Sequence, residues 1–240
     1  MKGHLALVTG ASRGIGEAIV RRLSKAGAKV VAVARTRPAL EKVAKEAGAE
    51  FYVCDVASPT QVENLARMVG PIRVLVNNAG IAESAPIEKT DLEMWRRAFE
   101  TNVTGAYLLS RAFLPGMRTK KYGRIVNVAS IAGKRGGPYI AAYAASKHAL
   151  LGLTSSLAAE CAEDGILVNA VCPGYVDTPM TLANVERIAK KTGRTKREVT
   201  QALLTGAGQS RLLDPAAVAE VVLALARPEC SHTGAAIDLL

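Results

Sequence analysis

Short runs of consecutive apolar residues alternate along the chain with longer stretches whose apolar positions recur at helical spacing. The runs His4–Thr9, Lys29–Ala34, Phe51–Asp55, Arg73–Asn77, Arg124–Ala129, Leu167–Val171 and Ala235–Leu239 are nearly all apolar at successive positions. That is the pattern of strands covered on both faces. Between them, Ile15–Ala26, Ala39–Glu46, Thr60–Met68, Asp91–Leu114, Ala142–Ala162 and Pro215–Ala226 read as helices. Ser58-Pro59, Asp91 and Asp214-Pro215 supply caps or first-turn prolines for three of them. This alternation predicts the α/β class, a doubly wound parallel sheet of seven strands with helices on both faces and right-handed crossovers. No repeat, low-complexity tract or Pro/Gly/Ser-rich linker divides the chain, so residues 1–240 are read as a single domain.

Composition narrows the picture. With 240 residues and 49% hydrophobic content the chain can bury a sizeable core and is not a disordered protein. No apolar run approaches the roughly 18 residues of a membrane span. The opening apolar stretch, Leu5-Ala6-Leu7-Val8, is too short for a signal peptide and runs into a glycine cluster. Cys54, Cys161, Cys172 and Cys230 form no CxxC and are widely scattered, so they read as small hydrophobes in a reducing compartment, with neither a disulfide framework nor a metal site. The expectation is a soluble cytoplasmic protein with no metal and no membrane attachment. Lys and Arg number 31 against 21 Asp and Glu, a formal charge of +10. Such a balance suits nucleic acid, a membrane surface or anionic small molecules. Aromatics are only 4%, and neither zinc-finger spacing nor a basic zipper is visible, so nucleic acid is set aside.

The first strand empties into Thr9-Gly10-Ala11-Ser12-Arg13-Gly14-Ile15-Gly16, and a helix begins at once. A dinucleotide pyrophosphate needs a tight turn, close backbone approach and a helix N-terminus aimed at its charge, which glycines and free N–H groups provide. The second strand ends at Ala34-Arg35-Thr36-Arg37 with no carboxylate until Glu41. An NAD site places an acid there to accept from the ribose 2′-OH. Arg35, with Arg13 in reach, suits a 2′-phosphate instead, so NADP(H) is favoured over NAD(H). A solvated arginine at a loop tip is the plainer reading. Asp55 and Val56 close the third strand, placed either to meet an adenine amine or to cap a turn. Asn77-Asn78-Ala79-Gly80 ends the fourth strand at the same edge, bracing the glycine loop and covering a ribose, or forming a turn.

Tyr143 and Lys147 lie one turn apart on one face of the Ala142–Ala162 helix. A phenol loses its proton near pH ~10, and an ammonium beside it draws that value toward neutrality. A bare Tyr-x3-Lys is also what any amphipathic helix carries. Ser130 changes the weighting. It follows the fifth strand at the carboxyl edge, where its hydroxyl and the Tyr143 phenol converge on one carbonyl oxygen. Asn102 stands inside a helical pattern where propensity gives no reason for it, and it is read as holding a water and a backbone group in a relay from Lys147. His4 and His148 read as structural.

Together these motifs resemble the short-chain dehydrogenase/reductase family, in its single-domain, Rossmann-like subtype. TGASRGIG at Thr9–Gly16, NNAG at Asn77–Gly80, Asn102, Ser130, Tyr143 with Lys147, and Pro173-Gly174 followed by Thr178 stand in the family's order over nearly the whole chain. The resemblance implies a tetrad of Asn102, Ser130, Tyr143 and Lys147. It implies cofactor contacts at Gly10, Ser12, Ile15, Asp55, Asn78, Pro173, Val176 and Thr178, with the Pro173-Gly174 segment receiving the nicotinamide carboxamide. It also implies a homotetramer, a homodimer being the smaller alternative, with the apolar helices Ala149–Ala159 and Ala216–Ala226 compatible with subunit packing or with core. One departure concerns the end of the chain. The family's last strand continues into a glycine pair, whereas here Ala236-Ile237-Asp238-Leu239-Leu240 stops, which bears on assembly and substrate fit.

Pro179–Ser210 is where this fold places a substrate cover. It carries Arg187, Lys190, Lys191, Arg194, Lys196 and Arg197, with Lys134 and Arg135 in the loop before Tyr143. That charge suits a carrier-linked acyl substrate, on coenzyme A or an acidic carrier protein, and a solvated helix face would look alike. The resemblance thus points to 3-oxoacyl-(acyl-carrier-protein) reductases and 3-hydroxyacyl-CoA dehydrogenases. The alternatives are the same chemistry on a sugar, polyol, 3-hydroxy acid, steroid or xenobiotic carbonyl, and a non-enzymatic nucleotide sensor.

Overall fold

Strands without a polar face need cover on both sides, and the computed structural model, which describes all 240 residues, supplies it. Seven strands, β1 (Leu5–Thr9), β2 (Lys29–Ala34), β3 (Glu50–Val53), β4 (Val74–Asn77), β5 (Gly123–Val128), β6 (Ile166–Pro173) and β7 (Ala236–Leu239), form one parallel sheet in the order β3-β2-β1-β4-β5-β6-β7. The helices are α1 (Gly14–Lys25), α2 (Arg37–Ala47), α3 (Pro59–Val69), α4 (Leu92–Phe99), α5 (Gly105–Thr119), α6 (Ala141–Glu160), α7 (Pro179–Thr192), α8 (Lys196–Ala207) and α9 (Pro215–Ala226). None is long and apolar enough to cross a membrane.

Alternate residues of each strand feed opposite cores. Ala6, Val8, Ala32 and Val76 pack with Ile19 and Leu23 of α1, Leu40 of α2 and Val222 of α9. Leu7, Val33 and Leu75 face the other way, onto Leu65 of α3 and Leu109, Phe113 and Met117 of α5. Most apolar positions of α9 are therefore taken up by the chain's own core, with Ala216 and Ala224 left exposed. Three of the four cysteines are buried and all four are unpaired.

The expected strands and helices recur with boundaries moved by a residue or two, and two findings go further. The single helix expected over Asp91–Leu114 is broken by a π-turn at Glu100–Thr104 that contains Asn102, and α5 then runs past Pro115 to Thr119. The cover is a helical hairpin. Thr178 caps α7 with Pro179 in its first turn, and Thr195 with Glu198 forms a capping box on α8.

The strand order reverses between β1 and β4, so the chain leaves their carboxyl ends toward opposite faces of the sheet and a crevice opens between the two loops. Below that edge a buried polar chain joins sheet to helix. Asn77 Nδ2 donates to Asn127 Oδ1 (2.9 Å), Asn127 Nδ2 to Thr154 Oγ1 (2.8 Å), and Thr154 Oγ1 to Leu150 O (2.8 Å). Beside it, Gly133 lets its loop close on α6, since a Cβ there would lie 2.8 Å from Lys147 O. These contacts set the height of α6 against the sheet.

Candidate active site

The glycine turn is held by the end of β4. Thr9 Oγ1 accepts from the N–H groups of Asn78 and Ala79, both at 3.0 Å, and Asn78 Nδ2 donates to Thr9 O (2.9 Å) and Gly10 O (3.3 Å). Asn78 thus braces the turn. Gly10 and Gly14 have φ of +63° and +58°, a region that disfavours a side chain. A Cβ at Gly10 would fall 2.9 Å from Ala79 Cα, and one at Gly16 would collide with Gly10 O. Arg13 precedes α1 without a side-chain cap, so the first N–H groups of that helix face the crevice unshielded.

A cleft of about 290 Å³ runs from this turn to Tyr143. Ser12, Ile15, Asp55, Val56, Gly80 and Lys147 line it with the three glycines. Arg13 and Arg35 stand at the far end, and neither forms an ion pair. Arg37 is spent elsewhere, on Glu41 at 3.1 Å and over the Phe51 ring. Asp55 caps its own turn, Oδ1 accepting from Ala57 N–H at 3.1 Å, while still lining the cleft. The uncapped helix end and the cramped glycine turn fit a nicotinamide dinucleotide. Sequence reasoning missed Thr36, Thr101 and Met180, which also line the cleft. Thr36, adjoining Arg35, carried a readable signal; Met180 did not, because it reaches the cleft only through the placement of α7.

At the other end Tyr143 keeps part of its surface open to the cleft, yet protein surrounds it closely enough that desolvation raises its phenol above the ordinary tyrosine value. The Ser130 hydroxyl pulls the other way, and Tyr175 adds to the rise. Lys147 is buried, and desolvation lowers it to about 8. Its Nζ donates to Val128 O at 2.9 Å and lies 5.8 Å from the centre of the Tyr143 ring. The expected acidification of Tyr143 by its neighbouring ammonium is therefore corrected. The charge is turned onto a carbonyl, and burial dominates both groups. Tyr143 stands protonated at neutral pH.

Asn102 makes no direct hydrogen bond to Lys147, although both reach the same glycine, Gly80. Its Oδ1 accepts from Ile81 N–H (2.8 Å), and its Nδ2 donates to Ile81 O (3.0 Å) and Ser146 Oγ (2.9 Å). Ser146 Oγ donates in turn to Tyr143 O at 2.7 Å, so Asn102 ties the loop after β4 to the turn of α6 bearing Tyr143. Ser130 Oγ accepts from Ala132 N–H (3.1 Å) and donates to Pro173 O (3.4 Å). Thr178 reaches the cleft; Pro173, Gly174 and Val176 stand behind its lining. His148 is exposed on α6 and bonds only Ala144 O, and His4 sits near the Tyr122 hydroxyl, both away from the cleft.

Much of the positive charge near the mouth is internally engaged. Arg187 clasps Ser84 through its carbonyl (3.0 Å) and hydroxyl (2.7 Å), Arg135 donates to Ala207 O (2.6 Å), Lys134 pairs with Asp238 (2.6 Å) and Lys196 with Glu186 (3.3 Å). Lys190, Lys191 and Arg197 remain free at the tip of the α7–α8 hairpin.

Residues 4–189 match the family model described as short chain dehydrogenase. The chain is 37% identical over 238 residues to a 3-oxoacyl-(acyl-carrier-protein) reductase of Vibrio cholerae, covering 97% of this chain and 93% of that one. It is 39% identical over 241 residues to an acetoacetyl-CoA reductase of Shinella zoogloeoides, covering 98% and 96%. A variant of the actinorhodin polyketide ketoreductase, crystallised with NADPH, superposes with a TM-score of 0.93 at 37% identity, covering 100% of this chain and 97% of that one.

The lowered pKa of Lys147 has a thermodynamic signature. Between about 8 and the ordinary lysine value of 10.5 the unfolded chain holds a proton that the folded chain does not. Stability is then fully present above 10.5 and lost as pH falls toward 8. In urea unfolding from pH 7 to 10, wild type should gain on Lys147→Met across this window by up to about 1.4 kcal/mol per pH unit. A difference that stays flat with pH would mean that Lys147 titrates as an ordinary lysine.

Proposed function

The chain belongs to the short-chain dehydrogenase family, an oxidoreductase acting on carbonyl and hydroxyl groups, and from that premise we propose that it reduces the ketone of a 3-oxoacyl thioester with NADPH. One observation carries the reading: the Tyr143 phenol shares a cleft with Arg13 and Arg35, two guanidiniums without an ion pair, which suit a 2′-phosphate. The activities named for the Vibrio and Shinella relatives favour the acyl thioester.

In this reading Gly10, Ser12, Arg13, Gly14, Ile15 and Gly16 cradle the pyrophosphate, and Arg35 grips the 2′-phosphate. Asp55 and Val56 meet the adenine, Asn78 and Gly80 cover a ribose, and Pro173, Gly174, Val176 and Thr178 form the nicotinamide end. The dinucleotide, when bound, supplies the hydride that adds to the ketone carbon. Tyr143 gives its proton to the ketone oxygen, and Ser130 donates a second hydrogen bond to that oxygen. Both donors are aimed before charge develops, so they favour the transition state over the ground state. Lys147, one of whose donors is taken by Val128 O, offers the others to the nicotinamide ribose and so ties the dinucleotide to the turn that bears Tyr143. Asn102 keeps Tyr143 in place through Ser146. Run backward, the same groups oxidise a secondary alcohol, with Tyr143 taking the proton.

The free cations Lys190, Lys191 and Arg197 draw the phosphates of coenzyme A or an acidic carrier toward the mouth. Leu92 and Tyr107 stand exposed on the α4–α5 face, where Trp95 and Phe99 stack at 5.0 Å. This face supports assembly as a homodimer or homotetramer. Four unpaired cysteines accord with the cytoplasm.

Three variants test the reading. Tyr143→Phe should retain NADPH binding and lose about 10²- to 10⁴-fold in kcat on acetoacetyl-CoA; full activity in a folded, NADPH-saturable variant ends the proposal. Arg35→Asp should move the NADPH/NADH ratio of kcat/KM toward NADH by about 10- to 100-fold, the worth of a charge-assisted contact. An unchanged ratio removes the role given to Arg35. The double variant Lys190→Glu, Lys191→Glu should lower kcat/KM for a carrier-linked substrate by about tenfold and flatten its salt dependence, with a small free ketone unaffected. Equal effects on both substrates would refute recruitment by charge.

A further inference from the structure

Gln209 stands just past the end of α8 and is buried, and its amide is spent chiefly on Tyr175, in the segment that backs the cleft lining. Oε1 accepts from the Tyr175 N–H at 2.7 Å, and Nε2 donates to the Tyr175 carbonyl at 3.2 Å, with a longer contact to Arg211 O at 3.5 Å. A carboxamide presents an acceptor and a donor side by side, so it imitates the edge of a neighbouring strand. It extends a real one: Leu213 N–H donates to Tyr175 O, Asp177 N–H to Leu213 O, and Val176 bridges Leu213 in parallel. Gln209 is the only hydrogen-bond partner of the Tyr175 N–H. Gly174 lies directly beneath it, since a Cβ there would fall 2.7 Å from Gln209 Cδ.

The stretch so held has a definite place. Pro173 O accepts from Ser130 Oγ at one end, and at the other Thr178 Cγ2 lies 3.2 Å from where a Cβ on Gly14 would stand. Residues 173–178 therefore bridge from the group beside Tyr143 to the glycine turn. Thr178 lines the cleft and the residues before it back the lining, so their position sets that side of the path from the turn to the phenol. The other side of the same junction is tied as well, because Arg135, in the loop before Tyr143, donates to Ala207 O at the end of α8.

Resting on the proposed dinucleotide reading, we infer that Gln209 is a positioning residue: by holding both backbone groups of Tyr175 it sets the segment from Pro173 to Thr178 that backs the cleft, and with it the seating of the nicotinamide half against Tyr143. The adenosine half lies beyond its reach, at Arg35 and Asp55. A residue of purely structural importance would disturb both halves or neither.

Calorimetric titration with two probes separates these cases. NADPH reports on both halves, and adenosine 2′,5′-bisphosphate reports on the adenosine half alone. Gln209→Met keeps the length and apolar volume of the side chain and removes both hydrogen bonds. It should weaken NADPH about tenfold while leaving the bisphosphate within about twofold, and kcat should fall with KM for NADPH rising. Gly174→Ala, whose methyl must push the amide aside, should give the same contrast, and it serves where Gln209→Met folds poorly. Its effect should largely vanish in a Gln209→Ala background, where the added methyl finds room. Wild type binding neither probe would overturn the proposed function itself. Wild type binding both, with the variants weakening both probes equally or neither, overturns the role of Gln209 alone.

Discussion

Placing a buried amine and a closely packed phenol, open only toward the cleft, on one turn of a helix is the constraint around which the rest of this molecule is arranged. Desolvation drives both groups toward their neutral forms, Lys147 downward and Tyr143 upward. That placement persists only because the surroundings determine it several times over. Val128 O takes the ammonium, Ser146 with Asn102 grips the Tyr143 turn, and the Asn127–Thr154 bond ties the same helix to the sheet. A buried polar network of this kind is costly when incomplete and rigid when complete.

The parallel sheet converts that rigidity into a site. Every strand delivers its carboxyl end to one edge, so Gly10, Asn78, Ser130 and Pro173, separated widely in the chain, arrive as neighbours. The polar bonds at this edge are mostly between a side chain of one strand's exit and the backbone of the next. Thr9 and Asn78 close the glycine turn in this way, Ser130 reaches Pro173, and Gln209 brings the far end of the cover into the same scheme. The cleft is thus walled by loops whose backbones are already committed, which lowers the cost of ordering them around a ligand.

Charge is distributed with similar economy. Of the cations near the mouth, Arg187, Arg135 and Lys134 fasten neighbouring segments, Arg187 joining α7 to the loop at Ser84, Arg135 joining its loop to the end of α8, and Lys134 joining the same loop to β7. The charges left free lie in two places, the pair Arg13 and Arg35 at the far end of the cleft and the hairpin tip around Lys190. A formal charge of +10 therefore says little by itself; what counts is which guanidiniums and ammoniums find no partner when the chain folds.

The order of strands and helices was legible from apolar runs and their spacing, because burial on both faces leaves a strand few alternatives to Val, Ile, Leu and Ala. The glycine turn, Ser130 and the Tyr143–Lys147 pair were legible for the same sort of reason: a close backbone approach admits only glycine, and residues four apart on a helix share a face. Three things lay outside the chain's local pattern. The π-turn at Asn102 exists because the Asn102 side chain meets Ile81 and Ser146 across the cleft floor. The direction of the pKa shifts was decided by how deeply α6 settles, which no spacing records. Gln209 reads in sequence as one more polar residue after a helix, and it acquires its role only when the end of α8 comes to rest on Gly174 and Tyr175. Periodicity and residue type report what each segment must bury, whereas partnership between distant polar groups depends on the packing that brings them together.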